Sequence, residues 1–403
     1  MVVLNGCEFS IQVIAVPPEM ASATSNDDRW DFHIDRCCVF GNHASGAIWC
    51  AFNALVLWIG VHMRELNGLL HYVDDVCSFK PNEHLAFYEP YQDFYPVKQV
   101  ELLELFDEVG IPQEKRKQEF GRTLTIIGLE VSLESMSMSM PREKREDLIE
   151  AIKNFLNGLE RHHALRDWQC LLGYCNWALN AYPLLRPALQ SSYAKIRGKK
   201  IPLAPIRVNK HVTEHLSWFA NRISTSNGVY FFEARGWLEA EVDLTLITDA
   251  SQTGLAFGTP ELDVALVATI EESEVHYGDI FFNEALAVMS ALEWAANLPN
   301  RPQRILIQSD SMNTVDIFNT LAPEPNLTPL MMRAVEVMME KGVDVHVIHI
   351  PGVENVVADA LSRSLFNTAR GIRPNLKILM FKPPRDELGA RKETSRLQSK
   401  LSR

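Results

Sequence analysis

Residues 244–257 read LTLITDASQTGLAF. The apolar run predicts a strand with Asp249 near its end, then a tight turn through residues 251–254 and a returning strand. An Asp before a turn commonly does no more than hydrogen-bond the turn backbone. Four later segments give it more weight. Asn283-Glu284-Ala285-Leu286-Ala287, Gln308-Ser309-Asp310-Ser311, His349-Ile350-Pro351-Gly352 and Ala358-Asp359-Ala360-Leu361-Ser362-Arg363 come in that order. Each acid alone reads as a turn, helix-face or helix-start residue. Four of them in register with the ends of alternating strands and helices point to chemistry.

The expected order from residue 242 is three antiparallel strands (244–250, 254–258, 263–270), then a helix over 282–297 and a strand over 304–309. Helices from about 312 and over 331–341, a strand over 344–350 and a short helix over 356–361 complete it. This pattern predicts an α/β domain over 239–366, a mixed sheet with helices on its faces. Substrate sites of open α/β sheets commonly lie at the carboxyl edge of the strands, where Asp249 and Asp310 fall. Phosphodiester hydrolysis needs an activated water, a stabilised leaving oxygen and relief of phosphoryl charge. Two Mg²⁺ about 4 Å apart supply all three, held by hard carboxylate ligands. Asp249, Glu284, Asp310 and Asp359 are therefore the candidate catalytic and metal-binding residues, with Asn355 expected to cap the helix that carries Asp359. His349 is assigned no catalytic role.

A chain of 403 residues has room for two or three domains, and 47% hydrophobic with 22% charged residues is an ordinary globular composition. Its seven cysteines have no zinc-site spacing, and no secretory signal is evident, so an intracellular protein with reduced thiols is expected, in cytoplasm or nucleus. The net charge of −12 is unevenly spread. Residues 1–140 hold 9 Lys and Arg against 20 Asp and Glu, and residues 141–235 hold 15 against 8. Residues 236–369 hold 5 against 20, and residues 370–403 hold 10 against 3. A basic middle between acidic blocks fits a polyanion clamp beside metal-binding parts. Within it, residues 196–210 carry Gly198, Pro202 and Pro205 and are expected to be a linker; Lys195, Arg197, Lys199, Lys200, Arg207 and Lys210 are the candidate nucleic-acid-binding residues.

Residues 47–61 are apolar, with no charge between Arg36 and Arg64. Asn53 in the middle, and an apolar core shorter than the roughly 20 residues a span needs, predict a buried helix and no membrane partner. Tyr72-Val73-Asp74-Asp75 then reads as a hairpin tip with two adjacent acids, whose repulsion a divalent cation relieves. A strand is expected over 123–131 and helices over 97–109, 142–156, 168–179 and 211–223. Residues 367–403 are expected to be a disordered basic tail.

Thr248-Asp249-Ala250-Ser251, Asn283-Glu284-Ala285-Leu286, Ser309-Asp310-Ser311 and the run from His349 to Arg363 resemble the type 1 ribonuclease H domain of retroelement polyproteins. The resemblance covers about residues 240–365 and implies Mg²⁺-dependent cleavage of the RNA strand of RNA/DNA hybrids, with the four acids as ligands. Upstream, the chain is similar to the second half of a retroelement reverse transcriptase. Phe40-Gly41 resembles the lining of the template and nucleotide site, Gly128-Leu129 the primer grip, and Tyr72, Asp74 and Asp75 the polymerase metal-binding tip. The run Trp177-Ala178-Leu179-Asn180, Pro183, Arg186-Pro187 looks most like retroelements that integrate by tyrosine recombinase. These likenesses imply a truncated α+β palm over 1–140 and a helical, basic thumb and connection over 141–238 that holds the hybrid. The family has a further polymerase Asp on a strand before a segment like 9–18, yet no acid precedes Glu8, and the fingers are missing. Polymerase activity is accordingly expected to be lost. The rival readings are an inert nucleic-acid-binding relic and a DNA transposase core; oligomeric state is left open.

Overall fold

The computed structural model describes residues 13–16, 31–34, 43–73, 75–79, 84–157, 161–230, 236–272, 274, 276 and 278–384. The chain forms two compact units, 1–127 and 128–403.

In the first unit, the apolar run forms the helix His43–Met63. Its 19 residues from Ser45 to Met63 are long and apolar enough to cross a membrane by length and composition, which corrects the shorter estimate from sequence. The helix is not a buried one either. Val56 and Leu57 are buried, whereas Phe52, Leu55, Trp58 and Met63 are exposed. Asn53 is buried because it has a partner: its Nδ2 donates to the Val73 carbonyl at 3.0 Å, as does Trp49 Nε1. That carbonyl belongs to the tip of the antiparallel hairpin Leu69–Tyr72 and Asp75–Ser78. A second hairpin, Leu85–Tyr88 and Asp93–Pro96, packs Tyr88 and Tyr95 on Val100 and Leu103 of the helix Val97–Val109. Gly110 ends that helix at φ 75°, where a residue with no Cβ is unstrained. The strand expected over 123–131 is broken into Thr123–Ile126 and Leu129–Ser132, because Ile127 and Gly128 turn at φ 50° and 77°.

The second unit begins with a helical core. Helices Arg142–Asn157, Leu165–Ala178 and Lys210–Thr225 bury Leu148, Ile152, Trp168, Leu172, Leu216 and Phe219 together. The expected linker over 196–210 is part of this core. Its strand Pro205–Arg207 pairs antiparallel with His162–Ala164 and buries Ile206, while Val208 is buried just beyond. Gly and Pro shape the turns there without loosening the segment.

The rest of the unit is a six-stranded mixed sheet. Its order is Asp344–His349, Arg304–Ser309, Leu244–Ala250, Gly254–Thr259, Val264–Thr269 and Lys377–Met380. The first three strands are mutually parallel, the Gly254 strand runs against both its neighbours, and the last two are parallel. Helices Ile280–Ala296 and Thr328–Lys341 fill one face with Leu286, Met289, Leu330 and Met331. Short helices Val356–Ser362 and Phe366–Ile372 cover the other through Leu361 and Ala369. The α/β reading therefore stands. The disordered tail expected over 367–403 does not: Lys377–Met380 is the edge strand, pairing Val264↔Lys377 through Val267↔Met380. Parallel pairing with a strand far upstream satisfies its backbone, which composition could not signal. Residues 385–403 lie outside the described residues.

The helical core and the sheet are joined within this unit. Arg222 pairs with Glu336 at 2.8 Å and Glu340 at 3.0 Å, Trp218 Nε1 donates to Glu336 at 2.7 Å, and Met339 packs on the helical core. Burial pushes the Glu336 carboxyl up, and Arg222 and Trp218 more than reverse this, leaving it below its ordinary value.

Candidate active site

Strand direction places the acids. Leu244–Ala250 and Arg304–Ser309 are parallel neighbours, Ile247 facing Gln308. Asp249 near the end of one and Asp310 just past the other therefore leave the sheet at the same carboxyl edge. Glu284 arrives on the helix Ile280–Ala296, whose N-cap Asp279 accepts from the Phe282 amide at 3.2 Å. The helix is buried along most of its length, which holds Glu284 against the sheet: its Oε1 accepts from the Ala250 amide at 3.3 Å. One carboxylate oxygen from each of Asp249, Glu284 and Asp310 lies within 4.8 Å of the others.

Asp249 is 3% exposed and Glu284 7%. Asp249 Oδ2 and Glu284 Oε2 are buried with no hydrogen-bond partner. Burial pushes the Asp249 carboxyl up to about 7; the Ser362 hydroxyl draws it down, while Asp310 and Asp359 push it further up. Burial likewise pushes Glu284 up to about 9, aided by Asp249 and Asp310 and opposed by the Ala250 amide. Without a counter-charge the cluster thus holds protons at neutral pH. Two unpartnered carboxylate oxygens in an all-oxygen donor set fit a hard divalent cation, which supplies that counter-charge.

The fourth acid stands apart. Asp359 sits in the helix Val356–Ser362, its side chain 43% exposed, and its Oδ1 accepts from Arg363 Nε at 2.7 Å. The expected four-acid cluster is therefore three acids plus one at the rim. Asp359 is near enough to raise its neighbours, but a cation one turn along its own helix engages it.

Asn355 also departs from expectation, since its side chain caps no helix. Its Nδ2 donates to the Thr248 carbonyl at 3.0 Å and to Asp249 Oδ1 at 3.3 Å. It is 1% exposed and positions the central acid. Two glycines let the loops close. A Cβ on Gly254 would collide with the Ser362 carbonyl oxygen, which instead accepts from the Ser251 hydroxyl at 2.9 Å. A Cβ on Gly352 would sit 3.3 Å from Asp310 Oδ2. The sequence signal for these contacts was the Pro351-Gly352 turn three residues before Asn355.

A family profile described as reverse transcriptase-like matches residues 266–365, which span the Glu284, Asp310 and Asp359 segments. Similar solved structures include ribonuclease H1 from the halophilic archaeon Halobacterium salinarum NRC-1, at 20% identity, covering 31% of this chain and 97% of that one with a TM-score of 0.25. LC11 ribonuclease H1, solved in complex with an RNA/DNA hybrid, is 20% identical, covering 30% and 95% with a TM-score of 0.25. No curated protein matches the sequence.

Outside the domain of the six-stranded sheet the site expectations fare unevenly. Tyr72 and Asp75 are exposed residues facing each other across the hairpin tip, and Asp74 lies outside the described residues. Among the described residues, the only cluster of three or more potential metal ligands is that of Asp249, Glu284 and Asp310. Of the basic residues, Arg197, Lys199, Lys200, Arg207 and Lys210 are exposed and Lys195 is half-buried. Lys210 pairs with Glu214 at 3.5 Å.

Proposed function

We propose that the ribonuclease H-like domain hydrolyses the RNA strand of RNA/DNA hybrids with Mg²⁺, in a chain derived from a retroelement reverse transcriptase. The observation that carries this reading is the pair of buried, unpartnered oxygens on Asp249 and Glu284 beside Asp310. These three residues would hold Mg²⁺, which when bound supplies a nucleophilic water and charge relief at the phosphoryl group.

The chain's own groups do the positioning. Asn355 fixes one oxygen of Asp249, and the Ala250 amide fixes one oxygen of Glu284, leaving the second oxygen of each buried without a partner. Arg363 puts a guanidinium at the rim, where a scissile phosphate can compete with Asp359 for it. Release of Asp359 would then bring the fourth acid toward the reacting centre. The acidic ribonuclease H-like domain gains little from long-range attraction to a polyanion, so the exposed cations over 195–210 supply the grip.

Labelled RNA/DNA hybrid with Mg²⁺ tests the reading, with Asp310→Asn as the control. The parent is expected to cut RNA only, and the variant to lose on the order of 100-fold or more, as for removal of a charge-stabilising group. Cleavage of DNA instead would mark a transposase core. The engagement of Asp359 by Arg363 favours the inert relic as the second reading, and no cleavage by the parent would establish it.

A further inference from the structure

The turn Ile201-Pro202-Leu203-Ala204 holds two large apolar side chains out of the fold. The Ala204 amide donates to the Ile201 carbonyl at 3.1 Å, closing a β-turn with proline at its second position, where the fixed φ of proline is preferred. The turn is anchored to the start of the helix Leu165–Ala178. The Leu165 amide donates to the Ala204 carbonyl at 3.2 Å, and the Arg166 amide to the Pro202 carbonyl at 3.0 Å. Those two amides are among the four that the first turn of any helix leaves without a partner. Beyond it the chain runs into the strand Pro205–Arg207, which pairs with His162–Ala164 and buries Ile206. The tip is therefore pinned, yet Ile201 is 68% exposed and Leu203 80%.

The charge around the tip is of one sign. No acid occurs between Asp167 and Glu214. Arg197, Lys199 and Lys200 precede the tip, Arg207 follows it, and Arg166 lies at the helix start that anchors it; all five are exposed. None of the five has an ion-pair partner among the described residues. A fixed apolar tip inside a collar of unpaired cations complements a polyanion with an apolar interior. A bilayer interface selects Trp and Tyr, and the tip carries neither. Ile, Leu and Pro are among the side chains that proteins insert between base steps from the minor groove.

We propose that Ile201, Pro202 and Leu203 form a wedge that enters the minor groove of a bound nucleic-acid duplex and parts one base step. Arg197, Lys199, Lys200 and Arg207 neutralise the phosphates beside it. Transfer of the two aliphatic side chains out of water offsets the cost of unstacking. The grip assigned to these cations thereby gains an uncharged component that kinks the duplex. The wedge rests on the nucleic-acid reading of this segment alone. It needs neither metal nor cleavage, so it would act in an inert relic as well.

The test uses the full chain in chelator with a short RNA/DNA hybrid carrying 2-aminopurine, whose emission rises when the base unstacks. Binding by the parent, followed by anisotropy, is expected to raise that emission. Ile201→Ser combined with Leu203→Ser alters only exposed side chains, so this variant should keep the parent's unfolding midpoint. It is expected to bind about ten-fold more weakly and to lose the emission rise at saturation. Its slope of affinity against salt should stay the same, because no charge is removed. Leu203→Ser alone should show the same changes to a smaller extent. Lys199→Ala combined with Lys200→Ala should do the reverse: a salt slope shallower by about 2, with the emission rise retained at saturation. No hybrid binding by the parent, binding without an emission rise, or a rise that the serine variant keeps would overturn the proposal. So would binding to phosphatidylserine vesicles that the serine variant loses while its hybrid binding is unchanged, which would mark a lipid anchor. Cleavage with Mg²⁺ is read separately. Cutting without an emission rise removes the wedge and leaves the nuclease, and an emission rise without cutting does the opposite.

Discussion

Asn355 holds Asp249: its Nδ2 lies 3.3 Å from Oδ1 of the acid and 3.0 Å from the Thr248 carbonyl, and the residue is 1% exposed. Truncation removes the donor from a buried carbonyl and a buried carboxylate at once. Asn355→Ala is therefore expected to lower stability by about 1–3 kcal/mol, read as the midpoint of denaturant unfolding. The same variant should bind Mg²⁺ more weakly by calorimetry, because Asp249 is freer to turn. Unchanged stability would show that the amide contributes no net hydrogen bonding.

The raised carboxyls make stability depend on pH. Asp249, pushed up to about 7, and Glu284, pushed up to about 9, both keep protons in the folded protein that the unfolded chain has released. The folded state thus binds more protons, and metal-free stability falls as pH rises. For Asp249 the fall runs from about 4 to about 7, and for Glu284 from about 4 to about 9, at up to about 1.4 kcal/mol per pH unit for each group. Thermal unfolding in chelator between pH 5 and 9 should show this decline. Glu284→Gln should flatten it, and Mg²⁺ should stabilise more at pH 8 than at pH 6. A flat metal-free profile would contradict the burial of these acids.

Arg222 ties the helical core to the sheet through Glu336 and Glu340. Its side chain is about one quarter exposed, as is that of Glu336, so the pair is partly desolvated and worth more than a surface bridge. Arg222→Ala is expected to cost roughly 1–2 kcal/mol. A double-mutant cycle with Glu336→Gln should show coupling of about 0.5 kcal/mol or more. Strict additivity in denaturant melts would mean that packing alone joins the two parts.

Gly254 tolerates no side chain, because the Ser362 carbonyl occupies the place of its Cβ. Gly254→Ala must push the helix Val356–Ser362 off the sheet, with a stability loss of about 2 kcal/mol or more. Loss should be accompanied by faster hydrogen exchange in that helix, which a change confined to the 251–254 turn would not cause.

Period-two and period-3.6 patterns are local, which is why much of the domain of the six-stranded sheet could be read directly. The strand with Asp249, its turn and return, and the helices Ile280–Ala296 and Met312–Thr320 follow from side-chain spacing alone. The acids were visible for the same reason, as they stand at element ends. Short elements whose partners lie far along the chain were not visible. Lys377–Met380 looks like a basic tail until Val264–Thr269 supplies its hydrogen bonds, and residues 205–207 look like a linker until His162–Ala164 pairs with them.

Residue order and local pattern are enough to specify which side chains can bear charge at the carboxyl edge of the sheet, because strand direction comes with them. How those charges are used is set by packing. The folded chain buries Asp249 and Glu284 so that each keeps an unpartnered oxygen, turns Asn355 from a cap into a support, and leaves Asp359 outside with Arg363. Burial and hydrogen-bond partnership depend on contacts between residues 34 to 107 positions apart, as for Ala250 with Glu284 and Asn355 with Thr248, and no local pattern encodes that.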